Sequence, residues 1–192
     1  PWTDIPPLQP IVHYKFDGDF TDAVGGSDLE IGTGMTIADF SDSIYKRGTH
    51  SFKFLSSGLD NVNPGKYGGK FTKTIDLSTN TICFWSYQHA DYEADKYYPT
   101  LFGLGDRDIE LYLFSDEPGA TYFSFLNIAD NRKVQTSILC TNARFKDKWV
   151  HWTIVSWNEG SDIKYSVYLN GVFEETVTYA NGSLSTITSG VI

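Results

Sequence analysis

The stretch from Trp149 to Gly171, WVHWTIVSWNEGSDIKYSVYLNG, constrains the fold of this chain more than any other. Its first arm, Trp149 to Trp157, is rich in β-branched and aromatic residues, and Asn158-Glu159-Gly160-Ser161-Asp162 supplies turn chemistry. From Ile163 to Leu169 the pattern has period two: Ile163, Tyr165, Val167 and Leu169 fall on one face, Lys164, Ser166 and Tyr168 on the other. Asn170-Gly171 then matches a two-residue type I′ turn, whose central positions both need positive φ, and Val172 to Tyr179 makes a third arm. A three-stranded antiparallel meander is predicted. In the first arm apolar residues occupy both faces: Trp149, Val155 and Trp157 on one, Val150, Trp152 and Ile154 on the other. Both faces are therefore expected to be covered, as for a central strand in a pair of stacked sheets.

The same grammar recurs upstream. Ile11 to Phe16 reads as the first strand, and further strands are expected near Ser51 to Leu55, Phe71 to Ile75, Thr81 to Gln88, Thr100 to Leu104, Ile109 to Phe114, Thr121 to Ile128 and Val134 to Leu139. Clusters of Gly, Asn, Asp and Pro separate them, and no stretch has the apolar period of a useful amphipathic helix. Pro6, Pro7 and Pro10 make residues 1 to 10 an extended linker, so residues 11 to 192 form the expected domain. For 192 residues, one all-β unit holds enough interior for a stable core.

Several pieces, in order along the chain, carry a family resemblance. Trp149-Val150-His151-Trp152-Thr153 followed by Val167-Tyr168-Leu169-Asn170-Gly171 resembles the "W-x-H-x-A … L-Y-V-N-G" signature of laminin-G-like domains, members of the concanavalin A-like lectin and glucanase superfamily. Tyr14-Lys15-Phe16-Asp17-Gly18, Gly48-Thr49-His50-Ser51-Phe52 and Thr81-Ile82-Cys83-Phe84-Trp85 are similar to that family's "Y-x-F-D-G", "G-x-x-A-L-x-F" and "F-T-I-S-F-W" segments. The resemblance implies a two-sheet antiparallel β-sandwich, a concanavalin A-like jelly roll of roughly twelve strands at ordinary strand spacing. It also implies a closing strand with a "G-x-I-D-E-V" pattern, which this sequence does not carry. The closing strand is therefore expected beyond Ile192 or from a neighbouring segment, leaving the first strand an unpaired edge.

Composition limits the partners. A formal net charge of −9 with no basic cluster argues against nucleic acid, which is held by clustered Lys and Arg. No apolar run is long enough to span a bilayer. Aromatic residues make up 16% of the chain, a surplus that must go into core or ligand surface. Cys83 and Cys140 are compatible with one disulfide or with two buried thiols. Asn181-Gly182-Ser183 is an acceptor sequon for N-linked glycan, relevant if the chain passes through a glycosylating pathway.

Three segments have the composition of sites. Asp17, Asp19 and Asp22 crowd one turn, and clustered carboxylates suit a hard cation such as Ca²⁺. The resemblance maps a structural calcium site onto Asp17 and Asp22; the alternative is that these residues serve turn geometry. Residues 88 to 98 carry Asp91, Tyr92, Asp95, Tyr97 and Tyr98, aromatic faces for sugar rings beside acids for hydroxyl groups, unless Tyr97 and Tyr98 begin a strand and pack inward. Asp106, Asp108 and Glu110 stand at i, i+2 and i+4, the spacing of the "E-x-D-x-E" strand in glucanases of the superfamily. Asp106 is short for a nucleophile and falls with Gly105 in the turn before the strand, so a solvated strand edge is the preferred reading of the pattern. His151 reads as a structural residue of the central strand, and His13, His50 and His89 show no zinc spacing.

These readings converge on a non-catalytic carbohydrate-binding module of a larger extracellular, cell-surface or virion-surface protein, its glycan sites multiplied by assembly. A structural or protein-binding module of a surface assembly is the alternative, and a glycoside hydrolase the third.

Overall fold

The computed structural model describes residues 10–31, 40–52, 69–88, 100–104, 109–117, 120–127, 132–139 and 143–191. Within them the chain forms β1 (Glu30–Ile31), β2 (Phe40–Ser41), β3 (Ser51–Phe52), β4 (Gly69–Asp76), β5 (Thr79–Tyr87), β6 (Thr100–Leu104), β7 (Ile109–Glu117), β8 (Ala120–Asn127), β9 (Arg132–Leu139), β10 (Trp149–Glu159), β11 (Asp162–Leu169), β12 (Val172–Tyr179) and β13 (Thr186–Val191), and the described residues contain no helix. The architecture is all-β and every strand pair is antiparallel.

Two sheets dominate. One runs β1-β4-β13-β6-β7-β8-β9, the other β12-β11-β10-β5, and β2 with β3 forms a separate two-stranded ribbon. The larger sheets face each other across a shared aromatic core. Phe123 of β8 stacks on Trp152 of β10 with centroids 4.7 Å apart, and Phe125 stacks on Tyr165 of β11 at 4.0 Å. Trp152, 1% exposed, also lies parallel to Phe84 and Phe145, and its indole N–H donates to Ser86 Oγ at 2.8 Å. Burial of the aromatic area is the main driving force, and each ring pair adds about 0.5–1.5 kcal/mol. At one side the sheet edges are joined by a side chain: Glu175 of β12 accepts from the N–H and the hydroxyl of Ser137 on β9, at 2.7 and 3.0 Å.

The meander forms as its pattern predicts. Ile163, Tyr165, Val167 and Leu169 are all buried, and Asn170 and Gly171 take φ of +51° and +81°. Asn170 adds a second lock, its side-chain oxygen accepting from His151 N–H at 3.0 Å while its own N–H donates to His151 O. The turn between β10 and β11 is tighter than expected, reduced to Gly160-Ser161, with Gly160 at φ +62°. The pattern does not mark Thr186–Val191, yet β13 lies between β4 and β6 in the seven-stranded sheet.

The first strand expected at Ile11 to Phe16 does not form. Tyr14 makes a single bridge to Asp22, and Phe16 turns to φ +54°, which ends any extended run. Phe16 instead packs with Phe40 and Phe52 around Phe20, itself a member of the main core, and touches Tyr14, which packs on Phe71.

Candidate functional site

Asp17, Asp19 and Asp22 have separate duties. Asp17 Oδ1 accepts from the Thr49 N–H, from the Thr49 hydroxyl at 2.8 Å and from the His50 N–H at 3.0 Å, pinning the residues before β3. Those bonds, the Thr49 N–H foremost, hold its carboxyl below the usual range. Gly48 is required beside it: at φ +70°, a Cβ there would lie 2.5 Å from the Asp17 carboxylate. Asp19 closes its own turn through the Thr21 N–H and hydroxyl.

Asp22 is the buried member, its side chain 0% exposed. Its Oδ1 accepts from His13 N–H at 2.9 Å and Val24 N–H at 3.1 Å, and its own N–H donates to Asp28 Oδ1. Oδ2 has no hydrogen-bond partner, and Lys73 Nζ stands 3.7 Å from it while donating to Ile11 O at 2.5 Å. Burial pushes this carboxyl up, but the two N–H donors and the ammonium outweigh it and the net displacement is downward.

A calcium ion takes six to eight oxygens. One oxygen of Asp17 and one of Asp22 are filled by N–H or O–H donors, and Lys73 already supplies positive charge at Oδ2. Among the described residues no three carboxylates, imidazoles or thiols gather as a metal site. Among the described residues, Asp17 and Asp22 are thus engaged by donors of the chain itself, as turn geometry requires.

Asp91, Tyr92, Asp95, Tyr97 and Tyr98 lie outside the described residues, as do Asp106, Asp108, His89 and Cys140. Glu110 lies on β7 with Gly103 and Leu126 as its strand partners. Cys83 is free and exposed, which matches neither the bridged nor the buried alternative.

The smaller sheet carries an aromatic surface that the sequence motifs do not mark. In β10, Val150, Trp152, Ile154 and Ser156 point into the core, whereas Trp149, His151, Thr153, Val155 and Trp157 are only half-buried on the opposite face. The expectation that both faces are covered is thus corrected: the outer face is sheltered in part by its own neighbours. Strand register aligns them in rows, Trp149 with Tyr87, His151 with Trp85, and Thr153 with Cys83 and Tyr168. Tyr87 and Trp149 have centroids 5.5 Å apart, Trp85 and His151 4.8 Å, and Tyr168 and Phe173 5.4 Å. Trp85 is 37% exposed and Phe173 54%.

Polar groups border these rings. Lys46 Nζ sits 4.5 Å over the Trp85 ring. The Tyr87 hydroxyl donates to Asp147 Oδ1 at 3.3 Å. Such a face combines flat apolar rings with hydroxyl, carboxylate, imidazole and ammonium groups, which suits amphipathic flat ligands. The visible signal was parity: aromatics recur at alternate positions in 83–87 and again in 149–157. No protein-family model matches the chain, and no curated protein matches it.

Proposed function

We propose that this chain is a non-catalytic carbohydrate-binding module with a concanavalin A-like jelly roll of the laminin-G-like kind. The observation that carries the reading is the outer face of β5 and β10, where Trp85, Tyr87 and Trp149 lie beside His151 and Asp147. Aromatic faces stack against the C–H faces of sugar rings, and the bordering groups bond the hydroxyls. Asp91, Tyr92, Asp95, Tyr97 and Tyr98, rings beside acids in the sequence, are kept as ligand residues of the same module on their composition alone. The reading includes no catalytic residue. It belongs with display at a cell or particle surface, where repeated weak sites gain avidity. A glycan array probed with the whole chain tests it: binding to a coherent set of glycans is expected, and folded protein that ignores every glycan refutes it.

A structural or protein-binding role is favoured by a different observation, the exposed Val172 and Phe173 on the edge strand β12. That role predicts binding to a protein partner that is lost on Phe173→Ser and unaffected by Trp85→Ala.

A further inference from the structure

Of the nine asparagines in the sequence, Asn181 alone stands two residues before a serine or threonine with no proline between, the spacing of an N-linked glycan acceptor. The fold accounts for the first two residues of Asn181-Gly182-Ser183. Asn181 lies in the exposed turn after β12 at φ +55°, a conformation asparagine adopts more readily than most residues, and its N–H donates to Asp162 Oδ1 at 3.1 Å. Gly182 lies against the core: a Cβ there would run into the Tyr179 ring and stand 2.9 Å from Ile163 Cδ1.

Ser183 is different. It is exposed, and its hydroxyl only approaches Leu184 O at 3.5 Å, well beyond the roughly 2.8 Å of an ordinary O–H···O bond. Its neighbour Leu184 anchors the segment instead, buried, with its N–H and carbonyl bonded to the Asn158 side chain at 2.7 and 2.9 Å. The turn therefore needs no hydroxyl at Ser183, whereas a glycan acceptor does. The turn also lies far from the Trp149 and Tyr87 row. Asn181 is bonded to Asp162, which pairs with Glu159 at the end of β10, and the strand from Trp149 to Trp157 alone spans about 27 Å.

We propose that Asn181 is a site of N-linked glycosylation, with its glycan at the end of the sandwich remote from Trp149 and Tyr87. In the transfer, Asn181 Nδ2 bonds to the anomeric carbon of an oligosaccharide. The bond from that carbon to a lipid diphosphate breaks, and one amide proton leaves to base. The lipid-linked oligosaccharide and its transferase belong to a glycosylating secretory pathway. Because the turn is exposed, the folded chain accommodates the sugar, and the inference does not depend on the carbohydrate-binding reading.

The whole chain, carried into the secretory pathway of eukaryotic cells by a cleavable leader, provides the test. Intact mass is measured in lysate and medium, before and after a peptide N-glycosidase. Wild type and Ser183→Thr should carry one glycan that the glycosidase removes, leaving aspartate at the acceptor position. Asn181→Gln and Ser183→Ala should carry none; Ser183→Ala leaves the turn residues Asn181 and Gly182 in place, so its loss of glycan is not a folding effect. Removing the glycan should change Tm by less than about 2 °C, as for a neutral surface change, and leave the Trp149 indole N–H signal unmoved. Wild-type chain without glycan in both fractions, or a glycan that persists in Ser183→Ala, overturns the site. A larger change in Tm, or a shifted Trp149 signal, overturns its placement.

Discussion

Replacing Asp22 by Asn tests the electrostatics of the folded core most sharply, because it changes charge while keeping shape. The amide oxygen can still accept from His13 and Val24, at 2.9 and 3.1 Å in the wild type, but the bonds become neutral. Hydrogen bonds to charged groups contribute about 1.5–3 kcal/mol against about 0.5–1.5 for neutral ones, so the two conversions cost about 2 kcal/mol. The amide NH₂ then faces Lys73, whose side chain is 25% exposed; loss of that partly solvated pair adds about 1 kcal/mol. A total near 3 kcal/mol lowers Tm by about 6–12 °C for a chain of this size.

Urea and thermal unfolding followed by tryptophan fluorescence measure this directly. Chelator or added calcium should move neither protein, because Lys73 supplies the positive charge at Asp22. A loss below about 0.5 kcal/mol, the level of an unremarkable surface change, would show that the Asp22 charge does not stabilise the fold. A wild-type Tm that falls on chelation and recovers with calcium would contradict the assignment of that positive charge to Lys73. The pH dependence has a fixed sign. The folded carboxyl of Asp22 lies below its ordinary value, so its stabilisation is complete above the unfolded pKa of about 4 and is lost as pH falls through the folded value. Asp22→Asn should therefore show a shallower loss of stability below pH 4.

Other expectations concern the frame that holds the aromatic face. Trp152→Ala removes a side chain enclosed by Phe84, Phe123 and Phe145 and should cost about 3–5 kcal/mol in denaturant unfolding. Asn170→Ala places Ala at positive φ and orphans the His151 N–H, a loss of about 2 kcal/mol in the same assay, with Asn170→Gly losing less. Glu175→Ala unfastens β12 from Ser137 of β9; a cost of about 1–3 kcal/mol is expected, together with faster hydrogen exchange at Ser137 N–H.

Local pattern carried much of the fold. Alternation at Ile163, Tyr165, Val167 and Leu169 gave both the strand and its buried face, and Asn170-Gly171 gave the turn, because these depend on neighbours in sequence. Ile11 to Phe16 shows the limit. Its residues alternate like a strand, but Asp22, nine residues on, captures the His13 N–H, and Lys73, 62 residues on, captures Ile11 O; the alternation of the segment itself shows neither contact. Cys83 and Trp85 show another. Their parity is legible in sequence, but whether that face meets a second sheet or solvent depends on the packing of two sheets, which local pattern does not carry.

On the proposed function, glycan binds the outer face of β5 and β10. Indole N–H resonances report on it directly, since Trp85 and Trp149 lie on that face while Trp152 is buried with its N–H bonded to Ser86. Titration with a glycan selected on an array should shift the Trp85 and Trp149 indole signals saturably and leave that of Trp152 in place. Glycan binding that leaves both Trp85 and Trp149 unmoved would contradict the account.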